Sequence, residues 1–171
     1  SRYTPKKFIK KEKLTLYKIE EFEIQQQRNL GAFMKGILVK RLESSFYAFR
    51  KSIGRFIESY ENFITMYNSG TVLISKKINV YDIYDRDDLD ELMKHFGEDL
   101  QKYNSSDFTA EFSGLLHNDL KLLEEIRDLW IPIDEDPKLE TFIDELEHNE
   151  LLKDKKLVIF TESKETGDYL Y

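Results

Sequence analysis

The apolar positions of this chain recur mostly at helical spacing. Between residues 44 and 68, Phe46, Phe49, Ile53, Phe56, Ile57, Tyr60, Phe63, Ile64 and Tyr67 follow one another at intervals of one, three and four. That spacing puts them on one face of a helix, as in the core of a bundle. Ser44 or Ser45 can cap its start, and Asn68, Ser69 and Gly70 can end it. Such a helix would be roughly 37 Å long.

The same period predicts a helix over 18–39. Leu30, Phe33, Met34, Ile37 and Leu38 share a face there, while Gly31 and Gly36 weaken it or admit a close neighbour. A short acidic helix is expected over 87–96, and a longer one over 107–129 with Leu115, Leu116, Leu120, Leu122, Leu123, Ile126 and Leu129 as its apolar positions. Pro132 should end the latter near Trp130, which reads as a plug at the helix end. Asp136 and Pro137 mark another start, as cap and first helical residue. From there Leu139, Phe142, Ile143 and Leu146 should face inward.

Two stretches break the period. Thr71-Val-Leu-Ile-Ser75 is short and β-branched, an isolated strand or an extended connector. Residues 157–160, Leu-Val-Ile-Phe, are continuously apolar, as in a strand buried on both faces of a parallel sheet. Residues 161–163 then turn, and a helix starts at Lys164. Residues 97–106, with Gly97, Asn104 and two serines, read as a loop. Residues 1–17 read as a basic arm that needs a partner to be ordered. The predicted fold is mainly α: a basic arm (1–17), a helical connector or insertion domain (18–153), and a strand-helix fragment of an α/β domain (154–171). The chain opens at Ser1 and stops at Tyr171 inside an apparent element, so it reads as a piece of a longer protein.

Composition sharpens this picture. The 12 Phe and 10 Tyr supply a core, and the 7 Gly and 3 Pro are too few for a turn-rich β fold. There is no cysteine, which excludes disulfides, thiolate zinc sites and a Cys nucleophile. No apolar run approaches the ~18 residues of a membrane span. A cytoplasmic protein with no membrane partner is expected. The net charge of −7 hides an asymmetry: residues 1–60 carry +8 and residues 61–171 carry −15. The basic third can meet phosphates, an acidic partner, or the acidic remainder of its own chain.

Motifs for chemistry are incomplete. Gly31 and Gly36 have the spacing of a phosphate loop, but Ile37 and Leu38 stand where Lys and Ser/Thr are needed. Asp85, Asp87, Asp88 and Asp90 resemble the start of a calcium loop, yet position six is Asp90 and position twelve is Phe96. Asp144-Glu145 sits within a helical pattern, whereas a Mg²⁺-holding acid pair belongs at a strand end. His95, His117 and His148 stand at no metal-ligand spacing. No catalytic residue and no metal site is expected.

Two stretches are more informative. Gly36-Ile-Leu-Val-Lys40-Arg41-Leu42-Glu43-Ser44-Ser45-Phe46-Tyr-Ala-Phe49 is one. The other is Asp136-Pro137-Lys138-Leu139, followed about twenty residues later by Lys156-Leu-Val-Ile-Phe-Thr161-Glu162-Ser163-Lys-Glu-Thr166-Gly-Asp-Tyr169-Leu170. Together they resemble bacterial superfamily 2 ATP-dependent DNA helicases of the Swi/Snf-like, DEAD/DEAH-box type, over most of residues 28–171. The resemblance implies a segment between two RecA-like domains plus the start of the second. It implies that the parent protein binds ATP and Mg²⁺, hydrolyses ATP and moves on DNA, while this segment holds no cofactor and no complete active site. It implies an interdomain hinge at Lys40, Arg41, Glu43 and Ser44. It also implies a turn near the nucleic-acid backbone at Thr161, Glu162 and Ser163. On charge alone, Lys40 and Arg41 either neutralise phosphates or form salt bridges with the acidic second half. The competing reading of the chain is a non-enzymatic helical module that recruits a protein partner.

Overall fold

The computed structural model describes residues 1–75, 100–152, 155–161 and 163–171. The expected acidic helix over 87–96, the acids 85–90, His95 and Glu162 lie outside them. The described residues are mainly helical, with one small antiparallel sheet.

After a one-turn 3-10 helix (Pro5–Phe8) and the short α1 (Lys11–Leu14), the chain enters α2 (Glu21–Ser44). A capping box starts α2: the Glu20 and Glu23 side chains each accept from the other's backbone N–H. The helix runs through Gly31 and Gly36 and extends past the expected end at 39. A Cβ on Gly31 would come within 3.1 Å of Thr4 Cγ2, so that glycine admits the N-terminal segment. Ser45 alone breaks the helix. Its extended backbone turns the chain into α3 (Phe46–Asn68), and its hydroxyl accepts from the Ala48 N–H at 3.0 Å.

α3 buries the predicted stripe. Its Phe56, Tyr60, Phe63 and Ile64 share a core with Leu30 and Met34 of α2, so the two helices fold back on each other. Gly70, with φ +90°, ends the turn after α3 in a conformation that an L side chain resists. β1 (Thr71–Ser75) then pairs with β2 (Leu100–Asn104), Val72 opposite Tyr103. Composition predicts a loop over 97–106, and residues 100–104 are instead a strand. The strand at 100–104 is stabilised by a partner distant in the chain and by burial of Tyr103.

α4 (Glu111–Trp130) packs along α3, burying Phe112 and Leu116. Trp130 meets the edges of Phe46 and Phe49 at 4.7 and 4.9 Å, as a plug at the helix end. α5 (Pro137–His148) starts as predicted, with Asp136 Oδ1 accepting from the Leu139 N–H at 3.2 Å. α6 (Lys164–Leu170) closes the chain.

Two further expectations differ from the structure. Residues 1–17 are no detached arm: Tyr3, Phe8 and Ile9 belong to the core, and Phe8 stacks on Phe112 at 4.9 Å. Lys6 is buried, its ammonium on Glu23 at 2.7 Å and its backbone N–H on Gln27 at 2.9 Å. Aromatic burial and two long-range hydrogen-bond partners replace the external partner that this stretch was expected to need. Residues 157–160 pair with no strand among the described residues and are exposed, Phe160 to 91%. An apolar run becomes a strand only where a neighbour offers its backbone.

Candidate functional site

Two stretches that stood out in the sequence meet in space, at Arg41, Ser44 and Ser45 on one side and Glu165 and Thr166 on the other. The last turn of α2 and the Ser45 elbow face the first turn of α6, and three kinds of contact join them. Arg41 Nη1 lies 3.3 Å from Glu165 Oε2, with both side chains buried. Arg55 of α3 grips the other oxygen, Oε1. The Ser44 and Ser45 hydroxyls share hydrogen bonds of 2.7 and 2.9 Å with Thr166 Oγ1. At the rim, Tyr47 and Tyr169 stack at 4.9 Å with their planes 3° apart.

Local rules place each group. Arg41 sits in the last turn of α2, where the helix dipole favours a cation. Glu165 sits in the first turn of α6, where the dipole favours an anion. Ser163 caps α6, accepting from the Thr166 N–H at 3.4 Å and donating to Glu165 Oε2 at 2.8 Å. Thr161 Oγ1 accepts from the Ser163 N–H at 3.2 Å, which holds the turn. Burial opposes charge on Glu165. Its own backbone N–H, Arg55, Ser163 and Arg41 outweigh that, and the carboxyl lies below its ordinary range.

Beside this joint is an open cavity of about 400 Å³ between the elbow, α5, α6 and residues 159–161. Lys40 and Lys138 line it, together with the apolar Phe142, Ile159 and Phe160. Lys138 donates to the Glu43 carbonyl, tying α5 to the end of α2. Asp136 uses one oxygen as the α5 cap, while Oδ2 is buried without a partner among the described residues.

Of the residues singled out from sequence, Arg41, Ser44, Thr161 and Ser163 come together at this joint. Lys40 and Glu43 are exposed at its edge. Arg41 is engaged with Glu165, the salt-bridge alternative for that side chain; Lys40 faces the cavity. Sequence reasoning did not single out Arg55, Glu165 or Thr166. The cap pattern Ser163-x-x-Thr166 and an acid in a first turn were visible, but nothing local names a partner 122 residues away.

The described histidines are used locally: His117 Nδ1 contacts the Ser113 carbonyl at 2.8 Å, and His148 Nδ1 the Asp144 carbonyl at 3.1 Å. Among the described residues no group of three His, Asp or Glu could hold a metal ion, and no helix is long and apolar enough to cross a membrane. Comparison of the chain with protein-family models, curated proteins and solved structures finds no match.

Proposed function

We propose that this chain is the helical connector of an ATP-dependent superfamily 2 DNA helicase or translocase, joining its two RecA-like domains and carrying the start of the second. The parent protein would bind ATP and Mg²⁺ outside this segment. The connector would turn domain closure into movement along DNA.

The observation that supports this reading is the joint between α2, α3 and α6. Residues 157–160 form an exposed apolar run immediately before a helix that is clamped to the elbow by Glu165 and Thr166. A first strand that awaits its sheet would have this exposure, and a rigid clamp behind it suits an element that transmits displacement. Apolar contacts alone allow sliding. A carboxylate between two guanidiniums fixes direction and register.

The test uses the parent protein. Glu165→Gln should leave basal ATP hydrolysis within about twofold while DNA-stimulated hydrolysis or translocation falls tenfold or more, the equivalent of about 1.4 kcal/mol of coupling. Equal translocation by wild type and E165Q overturns the connector role. Turnover of ATP by the present chain alone overturns the assignment as a whole.

A further inference from the structure

A second surface, remote from this joint and independent of the helicase reading, has the build of a helix-binding groove. Its floor is Phe56 and Tyr60 of α3, and its walls are α2 and α4, enclosing about 490 Å³. The α4 wall is apolar and exposed. Leu115, Leu122, Ile126 and Leu129 are spaced seven, four and three apart, so they form one stripe about four turns, or roughly 21 Å, long. Leu122 lines the cavity itself, and Leu129 at the far end is 71% exposed. Leu116, about 100° round the helix from Leu115, supplies the core. Folding leaves Leu122 and Leu129 of the stripe the most open, at 57% and 71%.

The α2 wall is basic. Arg28 and Lys35, two turns apart, line the cavity with Gly31 and Ala32 between them, and Lys7 joins from the N-terminal segment. Arg28 and Lys35 form no ion pair with any described residue. The acids nearby do not cancel this charge. Asp119, at the cavity edge, accepts from the Ser1 and Tyr60 hydroxyls at 2.7 and 3.1 Å and is one acid against three cations. On α4, Glu125 pairs with Lys121 and Asp128 with Arg127. Small residues between the cations allow a close backbone approach from the other side.

We infer that this groove docks an acidic amphipathic helix of a partner protein. Its leucine-type anchors at i, i+3, i+4 and i+7 would lie on the α4 stripe, and its carboxylates over Arg28, Lys35 and Lys7. A nucleic-acid backbone satisfies only the cations and gains nothing from four exposed aliphatic side chains. A helix that is apolar on one face and acidic on the other satisfies both walls.

The test is a fluorescence-anisotropy titration of the whole chain. The probe is a fluorescein-labelled helical peptide of about four turns, with leucine at those anchor positions and glutamate elsewhere. Saturable binding is expected. It should weaken at least tenfold in Arg28→Glu/Lys35→Glu and in Leu122→Asp/Leu129→Asp. A peptide with lysine in place of glutamate should prefer the Arg28→Glu/Lys35→Glu variant. Because these side chains are exposed, the variants should keep the wild-type melting temperature. As a measurement that needs no variant, the wild-type methyl resonances of Leu122, Ile126 and Leu129 should shift on titration.

Four results overturn the proposal. One is absence of saturable binding with unshifted methyls. Another is equal affinity of all variants. A third is concentration-dependent self-association that the peptide cannot displace, which assigns the groove to a second copy. The fourth is a DNA oligonucleotide that binds wild type, loses affinity with Arg28→Glu/Lys35→Glu, and excludes the peptide.

Discussion

The body of this protein and its C-terminal joint are held together by different physics. In the body, the N-terminal segment, α2, α3, α4 and the two strands converge on aromatic side chains. Phe112 stacks on Phe8 and on Phe108 at 4.9 Å and meets Phe63 and Tyr67 edge-on. Burial of apolar area is nondirectional and cooperative, so every element there shares the stability of the others. At the joint, α6 is fixed by one carboxylate, two guanidiniums, a few hydroxyls and a single ring stack at the rim. Those bonds are directional and few, and each can be removed singly. The contrast separates a part whose stability every element shares from a part that single substitutions can loosen.

Removing Phe112 should have the largest effect. It is fully buried at the meeting point of four rings. Phe112→Ala should destabilise the whole body by about 3–5 kcal/mol through lost transfer energy and a residual cavity. Chemical denaturation followed by circular dichroism checks this. A loss confined to one element, with the other helices retaining their midpoint, would break the claim that the body is one cooperative unit.

The fold was legible where burial has a period. The α3 stripe and the Asp136-Pro137 start could be read directly, because both are local patterns with local causes. The N-terminal segment was not legible, because Tyr3, Phe8 and Ile9 follow neither helical nor strand spacing. They are placed by contacts from elsewhere, including the bridge between Ile9 and Phe108. β2 was missed for a related reason: in Leu100-Gln-Lys-Tyr-Asn104 the inward positions are Gln101 and Tyr103 while the apolar Leu100 is exposed, so burial alternates but hydrophobicity does not. The joint was half legible. Arg41, Ser44, Thr161 and Ser163 lie in stretches that invited attention. Their meeting is a tertiary fact, and Arg55 entered it only through its place on α3.

Removing Glu165 should have the next largest effect, and a different character. Glu165→Gln leaves Arg41 buried without its carboxylate, a local cost of about 3 kcal/mol. Amide exchange over 164–170 should quicken on the order of a hundredfold, while the denaturation midpoint of the body hardly moves. Acid should act in the same way on wild type. The carboxyl of Glu165 lies below its ordinary range when α6 is docked. Its contribution is thus complete above the unfolded-state value and is lost as pH falls through the lower, folded one. E165Q should show no such acid limb in the exchange of α6. Asp107 is also held low, by the hydrogen bond from Tyr17, so acid weakens the body as well. The local exchange rate, and not the global melt, is therefore the discriminating reading.

The smallest effect is expected where the two regions share a residue. Ser45 caps α3 through Ala48 and also hydrogen-bonds Thr166. Ser45→Ala removes both bonds. Cap loss should lower the stability of the body by about 1 kcal/mol. If the hydroxyl also fastens α6, exchange over 164–170 should rise by a few-fold in the same variant. A double-mutant cycle with Thr166→Val separates the two roles. The cap term belongs to Ser45 alone, whereas the bond between the hydroxyls appears as a coupling energy of about 0.5–1 kcal/mol. Zero coupling would leave Glu165 as the fastener of α6 and make Ser45 a cap only. A clear coupling would mean that the residue starting the central helix of the body also senses whether α6 is docked.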